Sequence, residues 1–519
     1  MNPSNPTRQN PAHPLHDNVA EPLPVPLAVP LRFEAGEGDE HRHTHGSIEA
    51  ILETAGFRQD EIRAIYYGNW LRDYSQLVDP KLVRAPDMPK RFPDVLSREA
   101  ITQIVDVLAV RAFTDLMKID RSRFIVTPQR LGVYRASEHI DNPRAVNPKP
   151  DDPKARDADF DDWTLPDDPV LQVDPETSMK RYIQRSVDLM TADLDITVQA
   201  GPSSTDGLRA MGAALHILED FFAHSNFVEL SLIKLGYTDV LPWTSETECR
   251  HRLPLVTGSF GGSDIIASLA APLGKILFQN DEKPFEAIQP GARYERDQIL
   301  LILLGEHPDE RLLQGYQDFL TARDGWAQLP FSEQVERFYA FIATPGRLLG
   351  NAIGSVIQSL MTFLGNSIDD VQTGLGDDPN TNGSTDPSHS QLAKDHAEHP
   401  LHDLAALMAK KAVLEVGRAV LGQWHGTPDT DHPSHVAARF FSHAMDTDWQ
   451  DTLVREWAEA NPEQVKRAAL KSELDQFHLR IQGDATEALQ KFKQGSGNFL
   501  DTFFESTSLP DLWNRITGK

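Results

Sequence analysis

The stretch that most constrains this chain is AALHILEDFFAHSNFVEL, residues 213–230. Read as a helix, it places His216, Asp220 and His224 at i, i+4 and i+8, which puts all three along one stripe of the surface. The same turns carry Leu215, Ile217, Leu218, Phe221 and Phe222, so the helix belongs inside a core. Burying two imidazoles and a carboxylate there is costly unless partners satisfy them. Two arrangements do so. One is a hydrogen-bonded polar core. The other is a divalent metal, for which His nitrogen and carboxylate oxygen are ordinary ligands.

Composition narrows the partners. The chain has 519 residues, 40% of them apolar, and a mean hydropathy of -0.41. That describes a globular protein of one large domain with additions, or of two to three domains. Acidic residues outnumber basic ones 77 to 50, a net charge of -27, so no nucleic-acid partner is expected. A single cysteine, Cys249, removes any internal disulfide or cysteine-rich metal site and leaves His, Asp and Glu as the ligands. No basic start followed by an apolar stretch opens the chain. The expectation is synthesis in the cytoplasm without a standard signal peptide, with membrane association or signal-less export as further routes.

Along the chain, residues 1–40 carry eight prolines and read as an extended arm. EHRHTH follows. His45 leads into the amphipathic run SIEAILETAGF, with Ser47 as N-cap, while His41 and His43 read as solvated loop residues. The run EIRAIYYGNWLRDYSQ is a helix whose Tyr66, Trp70 and Tyr74 face the core. Beside them, Asp73 is either salt-bridged or a metal ligand. A structural helix is expected over 97–117. The segment ending in SEHIDNP brings His139, residues 142–172 read as a Pro- and Asp-rich surface loop, and 178–198 returns to helical spacing. Thr205 or Asp206 is placed as the cap of the central helix.

Beyond that helix, Gly258, Gly261 and Gly262 suit close packing or a tight turn, since no phosphate-loop context surrounds them. Helices are expected near 294–305, 308–323 and 331–343. Leu348 to Ile368 contains no charged residue and has Gly350 and Gly354 in GxxxG spacing. It fits a helix that packs on a sister chain (a homo-oligomer), on a membrane interface, or in the core of a large α domain. Next, DPSHSQLAKDHAEHPLH holds four histidines within 14 residues, and the candidates there are His389, Asp395 and His396. His425, His432, His435 and His443 read as surface or capping residues. No strand alternation stands out, so the fold class is all-α.

The blocks GNWLRDYSQ, LGVYRASEHIDNP, LHILEDFFAHSNFVEL, PLVTGSFGGSD and DPSHSQLAKDH, in this order, closely resemble the fungal heterokaryon-incompatibility HET-C family and its bacterial relatives, over roughly residues 40–400. The His-x3-Asp-x3-His helix with upstream His and Asp also resembles the α-helical zinc-dependent phospholipase C and single-strand nuclease fold. That resemblance implies His45, Asp73, His139, His216, Asp220 and His224 as zinc ligands, with His389, Asp395 and His396 completing the set. The last three lack the His-x3-Asp/Glu spacing of that fold. Two other pairs, His399 with Asp403 and His425 with Asp429, have the spacing but lie outside the matching blocks. The N-terminal amino ligand of that fold has no counterpart here, so two zinc ions are implied and a third at most.

The implied architecture is a multi-helix metal-binding catalytic core over 41–343, the uncharged helix and a loop over 344–378, and a His-rich ligand segment with C-terminal helices over 379–519. The implied chemistry is metal-assisted phosphodiester hydrolysis, with Asp73 both a ligand and the residue that steers the nucleophile. Glu219 and Glu229 are candidates to orient the imidazoles, though Glu219 equally reads as a solvent-facing helix residue, and that reading is preferred. The leading expectation is a zinc-dependent phospholipase C acting at a phospholipid membrane surface, as a toxin or incompatibility effector. A nuclease on the same scaffold and a non-catalytic protein with a structural metal site are the alternatives.

Overall fold

The structure is a computed structural model that describes residues 45–90, 95–143, 145–146, 152–259, 293–326 and 378–480, together with Phe92, Leu273, Ile276 and Leu277. The proline-rich arm, Gly261 and Gly262, the helix expected at 331–343 and the uncharged run Leu348 to Ile368 lie outside the described residues.

The described chain is helical, as expected. Its first half holds α1 (His45–Glu49), α2 (Leu52–Ala55), α3 (Gln59–Ser75), α4 (Arg98–Ala112), α5 (Thr114–Phe124), α6 (Pro128–Leu131), α7 (Ile183–Ala200), α8 (Thr205–His224) and α9 (Phe227–Lys234). Then come α10 (Glu295–Glu306), α11 (Glu310–Trp326), α12 (His389–Leu392), α13 (His402–Trp424), α14 (Pro433–Ala438), α15 (Asp451–Ala460) and α16 (Pro462–Ala468). Among the described residues, extended pairing is limited to isolated bridges, and no helix is long and apolar enough to cross a membrane.

Helix α8 is the axis of the core. Ser204 begins it by accepting a hydrogen bond from the Gly207 amide, one residue before the caps expected from the sequence. Likewise Ser47 lies inside α1 rather than capping it. Nearly every side chain from Gly207 to His224 is buried, because α3, α7 and α13 pack around α8. Phe221 and Phe222 are fully buried, worth about 2 kcal/mol each in apolar transfer. The neighbours enclose both the apolar side of α8 and its stripe of His216, Asp220 and His224.

Two glycines set how close α3 comes to α8. A Cβ on Gly212 would stand 1.9 Å from the Ile65 carbonyl oxygen, and one on Gly68 would stand 2.1 Å from that of Arg209. The two backbones are nearly in contact at that crossing. Asn69 and Asp73 of α3 are thereby brought against His216 and Asp220 of α8.

A short extended segment, Leu255 to Ser259, ties the remaining pieces together. Gly258 receives the Asn142 amide on its carbonyl and donates its own N–H to the His224 carbonyl, while Ser259 accepts the His389 amide. A Cβ on Gly258 would lie 2.4 Å from the His389 Cα, so this glycine serves close packing as anticipated. Of the stretch 142–172, expected to be a loop, the described residues are irregular apart from two 3-10 turns, Pro153–Ala155 and Pro169–Leu171.

Candidate metal centre

Six of the sequence-predicted ligands fall into two buried groups. His45, His216 and Asp220 form one, and His224, His389 and Asp395 the other; within each, the ligand atoms lie within 4.8 Å of one another. The two groups occupy successive turns of α8, and Asp220 stands between them. Its Oδ1 is 3.7 Å from His45 Nε2. Its Oδ2 is 3.1 Å from His216 Nε2, and 3.8 Å from both His139 Nδ1 and His224 Nδ1. One carboxylate therefore faces four imidazoles.

His139 belongs with the first group, since its Nδ1 is 2.9 Å from His216 Nε2. It follows a 3-10 turn tied to α3: Arg72 donates to Glu138 at 2.7 Å, and Ser75 donates to the same carboxylate. The next residue, Ile140, has φ of 54°, a left-handed backbone that a β-branched residue adopts only under strain. That kink sits between His139 and Asp141, both of which reach the cluster.

Asp73 lies in the same buried region without joining either triad. Its Oδ2 makes no hydrogen bond, and the Arg72 salt bridge goes to Glu138 instead. Burial raises the Asp73 pKa, opposed by His216 and His45. His396 stands beside Asp395, Nε2 to Oδ1 at 3.9 Å, with its ring against Phe477; it too is outside the triads. His399, of the alternative pair, is buried and accepts from the Leu401 amide.

The electrostatics follow from the crowding. Burial pushes the Asp220 carboxyl up, but His216 and His224 outweigh it and hold it well below the usual carboxylate range. Asp395 behaves in the same way, held down by His396 and His224. Burial opposes a charge on His45, yet Asp73, Glu219 and Asp220 raise its pKa to about 10. His139 is kept neutral by burial and by the neighbouring His216.

A second ring of polar residues holds the imidazoles, and sequence reasoning missed most of it. Glu219, expected to face solvent, is fully buried and accepts from His45 Nδ1 at 2.6 Å. It is buried because α8 has no solvent face. Asn69 Oδ1 lies 3.0 Å from His216 Nδ1. Asp141 Oδ1 lies 3.3 Å from His389 Nδ1, and its Oδ2 accepts from the Tyr134 hydroxyl at 3.1 Å. Glu229, a candidate to orient imidazoles, is instead paired with the fully buried Lys394 at 3.0 Å. Lys394 also donates to the Ser225 and Leu392 carbonyls, which fixes the neighbouring Asp395 near the end of α8. His443, read as a surface or capping residue, does accept the Met445 amide at the head of a 3-10 turn, but it is 1% exposed and its Nε2 donates to the Leu253 carbonyl.

These residues fit a divalent metal. Both ring nitrogens of His224 are buried without a hydrogen-bond partner, as is His139 Nε2, a state that is costly for a polar core. Ligand imidazoles whose other nitrogen is held by a carboxylate or amide are the usual arrangement around a metal. The donor set of imidazole nitrogen and carboxylate oxygen suits first-row transition ions, zinc among them.

Comparison with known proteins supports the same region. The family model described as heterokaryon incompatibility protein Het-C matches residues 34–296, which takes in the first triad and His224 but not His389 or Asp395. No curated protein and no solved structure matches the chain. With just over half of its length under the family model and the histidine helix inside the matched span, the chain belongs to the Het-C family.

Proposed function

We propose that this chain is a zinc-dependent phosphodiester hydrolase of the phospholipase C type, acting on membrane phospholipids, and that this activity serves a heterokaryon-incompatibility or toxin role. The observation that carries the reading is the pair of His, His, Asp triads on adjoining turns of α8 with Asp220 between them. A pair of divalent ions there would supply Lewis-acid stabilisation of a phosphate and a water acidic enough to attack at neutral pH.

The chain's own residues would do the rest. His45, His216 and Asp220 would hold one ion, and His224, His389 and Asp395 the other. Asp73 Oδ2, buried and without a hydrogen bond, is available to orient the attacking water and accept its proton. The second triad is the more open one, since the Asp395 and His224 side chains are 13% and 11% exposed against 3% for Asp220; substrate would approach from that side. The net charge of -27 favours lipid over nucleic acid as the phosphodiester.

Hydrolysis of phosphatidylcholine vesicles by the purified chain tests this. Release of phosphocholine and diacylglycerol that a chelator abolishes and zinc restores is the expected result. Intact lipid in the presence of the zinc-loaded protein would overturn the lipase reading, and cleavage of single-stranded DNA under the same conditions would replace it with a nuclease.

A further inference from the structure

Asn69 is fully buried at the α3–α8 crossing, next to the glycine that allows the two helices to meet. Its amide joins three elements. Oδ1 faces His216 Nδ1 at 3.0 Å, while Nδ2 donates to Glu219 Oε2 at 3.3 Å and to Glu49 Oε1 at 2.9 Å. Glu219 Oε2 in turn accepts from His45 Nδ1 at 2.6 Å.

The chemistry of these groups fixes which atom donates where. Two carboxylates on one side of an amide call for its NH2 end, so its oxygen must point to His216. An amide oxygen only accepts, so His216 carries its proton on Nδ1 and presents the Nε2 lone pair. The same logic runs through Glu219 to His45. Both Nε2 atoms are the ones that face Asp220, at 3.1 and 3.7 Å.

We propose that Asn69 is a positioning residue that selects Nε2 as the ligand atom of both first-triad histidines, of His216 directly and of His45 through Glu219. The inference rests on the metal-centre reading above. Asn69 touches no metal itself. It sets the tautomer and the ring direction of two ligands at once, a role for which an isosteric leucine or aspartate is no substitute.

The test is zinc affinity of the full chain by competition with a chromogenic chelator, beside the ligand-field spectrum of the cobalt-substituted protein and the melting temperature of the metal-free protein. Asn69→Ala and Asn69→Asp should each weaken zinc at one of two sites by about 10- to 100-fold and change the cobalt spectrum. Asn69→Asp keeps the side-chain shape and serves where Asn69→Ala fails to fold. A lower melting temperature with unchanged zinc affinity and unchanged cobalt spectrum in both single variants would overturn the inference and leave the metal centre standing. A wild-type chain that binds no zinc would overturn both.

Discussion

His216 Nε2 lies 3.1 Å from Asp220 Oδ2, one turn further along the same helix. The pair marks where the two groups of candidate ligands meet, inside a helix enclosed by its neighbours.

The crossing that delivers Asn69 and Asp73 to this pair depends on Gly212. With only 1.9 Å between a new Cβ and the Ile65 carbonyl oxygen, Gly212→Ala must push the helices apart. Overpacking of this kind costs about 3 kcal/mol or more. A urea titration should show a clearly lower midpoint, and zinc affinity should fall with it.

Lys394 and Glu229 form a fully buried ion pair. Removing one partner strands the other, so Lys394→Met should destabilise the fold by about 3–5 kcal/mol. Replacing both, with Lys394→Met and Glu229→Leu, should recover most of that loss in the same titration. Equal destabilisation by the single and double variants would show that the backbone contacts of Lys394, and not the charge pair, matter.

Acid should weaken the fold in part through His443. Burial, against the hydrogen bond to the Leu253 carbonyl, lowers the His443 pKa to about 4. Between there and the ordinary value of 6.5, the unfolded chain binds the proton and the folded chain does not, so stability falls as pH drops through that window. The shift corresponds to about 3 kcal/mol. Denaturation midpoints at pH 7 and pH 4.5 should differ more for the wild type than for His443→Gln, which has nothing to titrate there.

The two triads should load unequally. In the first, His45 and His216 are held by Glu219 and Asn69. In the second, neither nitrogen of His224 is hydrogen-bonded, and its ligands are the more exposed. A chelator should strip metal in two phases, the faster one disappearing in His389→Ala. A single phase for both ions would contradict this.

The sequence showed the inner ligands more readily than their supports. His216, Asp220 and His224 are readable because one helical period puts them on one stripe. His389 and Asp395 were found through a resemblance, since nothing local connects them to residues 165 positions away. Asn69, Glu49 and Asp141 carry no local signal: their partners lie 147, 20 and 248 residues off in the chain. Glu219 was misread although a signal existed. It stands beside His216 and Asp220, on the side of α8 that carries the ligand stripe and away from Phe221, so it shares their buried polar surroundings. The family match ends at residue 296, short of His389 and Asp395, and their place beside His224 is seen only in three dimensions.

Metal content per chain tests the central claim most directly. Elemental analysis of the purified protein after zinc loading and exhaustive dialysis should give two zinc ions per chain, one in His389→Ala, and one at most in His216→Ala, with the helical circular dichroism of each variant retained. A wild-type chain that retains no zinc, or a count unchanged by both substitutions, would contradict it.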